Sequence, residues 1–489
     1  MSGRRVGNMT DDLRQALAMA SERALGYREQ FPPPAPGADL EALRRALDAG
    51  LPERGRGAAE VIDHLVKAVE PGLIGISSPD FYGWVMGASH PVGVAAEWLT
   101  ASWGQNAGIY ETSPAAAVAE EVAGRWLLDL LRLPGDCSVG FVTGATMASF
   151  VGLAAARSEV LLRAGWDCAR DGLFGAPPVT VYLGAQAHAS VLAALRYLGF
   201  GERQLIAVDS DEQGGMRPAS LAQALRRTDG PAIVVGQAGH IHSGGFDPFE
   251  QTIPLARERG AWVHVDGAFG LWARAAPALS ALASGVELAD SWAVDGHKWL
   301  QIPYDSGFAI VRDGAAMQRA MAISASYLGT GPRDARNPSN YVPELSRRAR
   351  GFAVWAVLQA LGRHGVREMV ERHCRCAREL GQRLLQEPGI SVLNRIELNQ
   401  LALTFGPTGA SQAERDACTR QVIAALQREN RCFVSGASWS GHWIMRVSVI
   451  SHYTDTPQME ALAAAIIRAW RCARPRQQAP GSGPGSRGP

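Results

Sequence analysis

Lysine is scarce in this chain. Of 48 basic residues only Lys67 and Lys298 are lysines, leaving 48 − 2 = 46 arginines. A genome biased toward arginine codons explains most of that. Such a bias cannot remove a lysine whose amine must lose its proton and bond covalently to a carbonyl, because a guanidinium stays protonated. Lys298 lies in DGHKWL (295–300), after the apolar run SWAV, where a loop leaves a strand. An amine there can be partly desolvated and freed for chemistry. Thirty-two positions earlier, VHVDGAFG (263–270) ends an apolar strand on Asp266. A carboxylate at that point can pair with a pyridinium nitrogen and keep the ring protonated as an electron sink; a helix N-cap or turn aspartate reads the same way. FVTGATMAS (141–149) is a strand, a small-residue turn and a helix start. Its amides, with Thr143 and Thr146, suit a phosphate, although many strand–helix turns look alike. GAQAHAS (184–190) follows another strand and places His188 either to stack on a ring or to handle a proton; a lone histidine there is also commonly structural.

These positions need elements to carry them. Runs at 139–142, 179–183, 205–208, 232–236, 262–265, 291–294 and 307–311 are apolar and short, and helical segments alternate with them. That alternation predicts a mostly parallel, seven-stranded sheet wrapped by helices, with the chemistry at the strand ends. Residues 1–75 read as a helical arm broken by FPPPAPGAD, 76–345 as the large domain, 346–475 as a small α+β domain, and the Gly/Pro/Ser-rich 476–489 as a disordered tail. Strands are predicted in the small domain at 391–394, 401–405 and 445–449.

Composition narrows the partners. A net charge of +1 asks for neither nucleic acid nor an anionic membrane. No run approaches an unbroken membrane span, and the basic N-terminus lacks the apolar core of a signal peptide. The seven cysteines are odd in number and scattered, with no zinc spacing. They imply reduced thiols, a cytoplasmic protein and no metal site.

The order of motifs says more than any one of them. A phosphate turn, a stacking histidine, an aspartate and a lysine at successive strand ends describe a site for pyridoxal 5'-phosphate (PLP). Across roughly 78–456 the chain resembles the group II PLP-dependent decarboxylases, the family of aromatic-amino-acid, histidine and glutamate decarboxylases. The resemblance is carried by FYGWVMGASHP, TSPAAAVAEE, FVTGATMASF, AQAHASV, GGFDPF, VHVDGAFGLW, ADSWAVDGHKWL, PYDSG and PELSRRARGFAVW. It implies the aspartate-aminotransferase fold (fold type I), as a homodimer with exchanged N-terminal arms. It implies that Lys298 forms the Schiff base with PLP, that Asp266 pairs with the pyridine nitrogen, and that His188 and Ala268 pack on the two ring faces. Gly144, Ala145, Thr146 and His297 would hold the phosphate. It also implies a lid over 326–344, with Tyr327 and Tyr341 as alternative proton donors, and a substrate wall from Phe81, Tyr82, Trp84, Trp103 and Tyr110. Met147 and Ser149 depart from the family pattern, where many members have Glu and Asn. His240 and His242, in QAGHIHSGG, stand where relatives more often have Asn or Thr, and they can touch cofactor or substrate or be plain loop residues.

The reaction implied is decarboxylation of an L-amino acid to the amine and carbon dioxide. No lysine or arginine falls between Lys67 and Arg125. An acidic side chain would need a cation near those aromatics, so a hydrophobic or aromatic amino acid is expected, unless Arg347 or Arg446 enters the pocket. The rival readings are a carbon–carbon lyase of the retro-aldol or sphingosine-phosphate-lyase kind, an oxygen-using aldehyde former, and a PLP-binding scaffold without turnover. Product analysis separates the enzymes.

Overall fold

The computed structural model describes residues 2–35, 37–48, 50–323 and 335–474. Seven strands form the central sheet: β1 (Ser138–Val142), β2 (Thr180–Gly184), β3 (Leu205–Val208), β4 (Ala232–Gln237), β5 (Trp262–Asp266), β6 (Ser291–Asp295) and β7 (Gly307–Val311). Their order is β1-β7-β6-β5-β4-β2-β3. Only β7 runs antiparallel to its neighbours; the pairs β6/β5, β5/β4, β4/β2 and β2/β3 are parallel. This is the arrangement the alternating pattern predicted. The strands are unbroken apolar runs because both faces of the sheet are covered. On β4, Val234 enters one core while Ile233 and Val235 enter the other, following the two-residue period of a strand.

In chain order the first helices are α1 (Ser2–Glu29), α2 (Leu40–Leu47), α3 (Ala58–Val69), α4 (Pro91–Trp103), α5 (Pro114–Leu130) and α6 (Ala145–Arg163). The last covers one face of the sheet, burying Ala148, Val151, Ala155 and their neighbours. By length and composition α6 alone among the described helices is apolar enough to cross a membrane, a feature the sequence reading passed over. Its buried residues place it in the core. The other face is covered by α5 and by a long helix, Gly351–Leu384. That helix is broken at Gly362, whose φ of +59° lies in the left-handed region glycine tolerates.

A second sheet, antiparallel, holds β8 (Ile390–Val392), β9 (Gln400–Phe405), β10 (Ser435–Trp439) and β11 (His442–Ser448) in the order β10-β11-β9-β8. The helices Gln412–Glu429 and Thr456–Ala473 pack on it through Val422, Leu426, Ile466 and Trp470. The segment around Phe81 belongs physically to this unit. Tyr82 N donates to Phe433 O (2.9 Å), Phe433 N to Asp80 O (3.0 Å) and Ser448 N to Tyr82 O (3.0 Å). The N-terminal arm is tied to its own chain by Arg28, which donates to the carbonyls of Ala88 and Ser89 at 3.1 and 2.6 Å.

Candidate active site

The ends of β2, β5 and β6 bring four of the expected groups together and add a fifth. Lys298 follows β6 and places Nζ 2.9 Å from Asp295 Oδ2. Asp295, the last residue of β6, is 2% exposed. Its Oδ1 accepts from the amide of Ala145 at 2.6 Å and lies 3.4 Å from His297 Nε2. His297 Nδ1 accepts from the Ser306 amide (3.2 Å), so the ring proton sits on Nε2, and Tyr304 stacks on the ring at 4.4 Å. Asp295 was absent from the sequence reading. The available signal was an acidic residue three positions before Lys298 at the same strand end, inside a motif read for its lysine alone.

Asp266 ends β5, the strand beside β6. It is 5% exposed and accepts from the Ala268 amide at 3.1 Å. Burial pushes its carboxyl up from the usual range, and the nearby charges of His188 and Lys298 oppose that shift. Among the described residues no arginine or lysine forms an ion pair with it. A buried carboxylate of this kind lacks a cation, and a protonated pyridine nitrogen is a cation of the right chemistry.

His188 caps the helix Ala189–Tyr197. Its Nδ1 accepts from the Ser190 amide (3.2 Å) and lies 2.7 Å from the Ser190 hydroxyl, which leaves the ring proton on Nε2. Burial pushes the imidazole below its ordinary value, against the pull of Asp266. The backbone amide of His188 donates to Gln237 Oε1 (3.2 Å), and Gln237 N donates in turn to Asp247 Oδ2 at 2.7 Å. Asp247 is buried and raised to about 6 by that burial.

The turn between β1 and α6 is shaped for close approach. A side chain on Gly144 would meet His297 Cε1 at 2.9 Å, and one on Gly307 would meet Gly144 Cα at 2.4 Å. Ala145 supplies the first amide of α6; Thr143 is half-buried beside it and Thr146 is exposed. The cradle, the unpaired Asp266 and Lys298 together fit PLP.

A further group comes from the turn after β4 and from the small unit. His240 is 2% exposed and accepts from the His242 amide at 3.3 Å. Their rings lie 5.3 Å apart, and each is 6.2 Å from Trp439 of β10. Trp439 Nε1 donates to Gln186 Oε1 (2.8 Å). Arg446 of β11 donates to Ile241 O (2.9 Å), and its Nε is buried with no partner among the described residues. Its charge reaches His188, His240 and His242. Burial alone lowers Arg446 to about 10.

Several expected residues are placed elsewhere. Arg347 is committed to a buried pair with Glu120 (2.6 Å) and to the Ala107 carbonyl, so it is not free for a substrate. The Tyr341 hydroxyl receives a hydrogen bond from Gln318 (2.9 Å), and its ring lies under Arg336. Tyr327 lies outside the described residues. Phe81 is buried in a stack on Phe433 at 4.9 Å, so it is core; Trp84 caps that stack and is 50% exposed. Trp103 packs on Phe352 at an outer hollow of about 530 Å³. Tyr110 is half-buried, its amide held by Asn337 Oδ1 (2.9 Å). Segment 84–90 does reach the lysine loop: Gly87 N donates to His297 O (3.2 Å), and a side chain on Gly87 would meet Lys298 O at 2.4 Å.

A fold of this kind, with a PLP-compatible cluster at its strand ends, defines a fold-type-I PLP enzyme. Residues 41–405 match the model of the pyridoxal-dependent decarboxylase conserved domain, and the chain belongs to that family. It is similar to the aromatic-L-amino-acid decarboxylase of Bacillus atrophaeus, with 24% identity over 449 residues, covering 89% of this chain and 91% of that one. The enzyme of the same name from Sus scrofa is 28% identical over 469 residues, covering 90% and 93%. Among solved structures, Oryza sativa TDC with PLP and tryptamine superposes with a TM-score of 0.88 at 22% identity, covering 94% and 98%. The chain is a PLP-dependent amino-acid decarboxylase.

Proposed function

We propose that the substrate is an L-amino acid with a hydrophobic or aromatic side chain. The observation that carries this reading is the supply of cations. Among the described residues, Arg336 and Arg347 face Glu120, and Arg350 pairs with Asp305. Arg446 alone is buried beside His188 without a carboxylate partner. Every amino acid brings an α-carboxylate, which would take Arg446. A second, side-chain carboxylate would then be buried unpaired at high cost. Neutral histidines and Trp439 form the rest of that wall, and aromatic contact favours an apolar group. The aromatic-amino-acid decarboxylases among the relatives support the same choice.

Bound at this site, PLP supplies the electron sink for the pair left on Cα when carbon dioxide departs. Asp266 would keep negative charge beside the ring nitrogen, and His188, with its proton on Nε2, would pack on the ring. Gly144, Ala145, Thr146 and His297 would hold the phosphate, with Thr143 at the edge of the turn. Ala268 leaves room on the second face. Lys298 Nζ, held 2.9 Å from Asp295 Oδ2, is the amine that would hold the cofactor.

The test compares kcat/KM for phenylalanine, tyrosine, tryptophan and leucine with glutamate, aspartate and cysteine sulfinate. An apolar or aromatic substrate should win by more than about tenfold, roughly 1.4 kcal/mol. Arg446→Gln should raise KM for all of them, by about 10- to 100-fold for a lost charged hydrogen bond of ~1.5–3 kcal/mol. A lead for an acidic substrate, erased by Arg446→Gln, would overturn the assignment.

We also propose a homodimer. Trp98, Leu99, Trp103 and Trp355 are all at least 42% exposed on or beside the outer apolar hollow. Apolar surface of this kind marks an interface. Sedimentation of the holoenzyme should show dimers; a fully active monomer would sink the proposal.

A further inference from the structure

Three donors converge on the Asp295 carboxylate. The Ala145 amide reaches Oδ1 at 2.6 Å, the protonated Nε2 of His297 lies 3.4 Å from the same oxygen, and Lys298 Nζ lies 2.9 Å from Oδ2. Two of these, the Ala145 amide and His297, are the groups assigned above to the cofactor's phosphate. The third is the amine that takes up the cofactor. The carboxylate therefore lies inside the cradle, 3.2 Å from where a Gly144 side chain would begin. A helix N-terminus favours an anion, and here the chain provides one of its own.

We propose that Asp295 is a resident competitor of the phosphate: the carboxylate and the phosphate share the Ala145 and His297 donors, and their repulsion sets how tightly phosphorylated ligands bind. The inference rests on the PLP site described above. It makes Asp295 a positioning residue as well, because the same carboxylate holds Lys298 Nζ. Two anions served by the same donors repel strongly in a buried site. Removing one charge while keeping the shape should therefore strengthen binding of the other.

The experiment uses apoenzyme prepared from wild type and from Asp295→Asn. Dissociation constants are measured for PLP, for pyridoxal, which lacks the phosphate, and for inorganic phosphate. In Asp295→Asn, inorganic phosphate should bind about tenfold more tightly, and the ratio of the pyridoxal to the PLP dissociation constant should rise by the same factor, ~1.4 kcal/mol; losing the Lys298 contact shifts PLP and pyridoxal alike and cancels in that ratio. Asp295→Glu, which keeps the charge, should show no such gain. Where Asp295→Asn folds poorly, Asp295→Ser removes the charge with a smaller side chain and should show the same selective gain. An unchanged ratio in the neutral variants would mean that Asp295 only anchors α6 and Lys298, and would overturn the proposal. A wild type that binds no PLP would instead overturn the cofactor reading, and this inference with it.

Discussion

The two walls of the active site handle charge in opposite ways. At the ends of β2, β5 and β6, ionisable groups face one another. Asp295 pairs with Lys298 at 2.9 Å, and Asp266 feels both His188 and Lys298. At the turn after β4 and on β10 and β11, burial keeps the ionisable groups neutral or isolates them. His240 and His242 are lowered to about 4 and about 3, and Arg446 donates only to the Ile241 carbonyl among the described residues, with its Nε unpartnered. The first wall can hold a cofactor and move protons. The second offers a neutral surface with one cation, which suits sorting substrates. Chemistry and selectivity are thus assigned to different parts of the fold, one on the large sheet and one shared with the small unit.

The largest expected effects fall on the first wall. Lys298→Ala should reduce amine formation below detection, and borohydride should attach PLP to Lys298 in the wild type and never to Lys67. Arginine cannot rescue this position. Asp266→Asn should weaken PLP binding by about 10- to 100-fold, since a charge-assisted pair contributes ~1.5–3 kcal/mol. Turnover should fall further still, because the negative charge matters most as electrons enter the ring. Titrating apoenzyme with PLP and following carbon dioxide release measures both. Asp266→Asn with near wild-type turnover would dissolve the contrast between the walls.

The first wall was largely legible in the sequence, and the second was not. The seven strands of the large sheet are apolar runs bounded by turns, and the motifs after β1, β2, β5 and β6 point to its function. Asp295 carries no local mark of its role, because an acidic residue at a strand end is equally suited to a turn or a cap. The second wall depends on pairings far apart in sequence. Arg446 meets Ile241 across 205 positions, and Trp439 meets Gln186 across 253. No local pattern announces such contacts. β10 was missed for a related reason: its residues, SGASW, have neither a β-branched run nor a clear alternation. Arg347 shows the converse. The sequence leaves it free to bring a cation to the pocket, yet its partner Glu120 is 227 positions away and already buried with it.

The smallest expected effect tests the second wall through pH. An unfolded histidine titrates near 6.5. Burial holds His240 at about 4 and His242 at about 3 in the folded chain. Between those values and about 6.5 the unfolded state binds more protons than the folded one, so stability rises with pH across that window and is lost as pH falls through it. His264, His373 and His452, each lowered to about 3 by burial, act in the same direction. The wild type should therefore lose stability between pH 7 and pH 5. The double variant His240→Asn, His242→Asn should lose less, by of order 1–2 kcal/mol for each histidine. Asparagine is smaller and leaves a packing defect, but that cost does not depend on pH. The slope of the thermal midpoint against pH is thus the quantity to read, not its level. Equal slopes in wild type and double variant would mean that these two histidines titrate normally in the folded protein. The second wall would then carry charge at mildly acidic pH, and its neutrality could not explain a preference for apolar substrates.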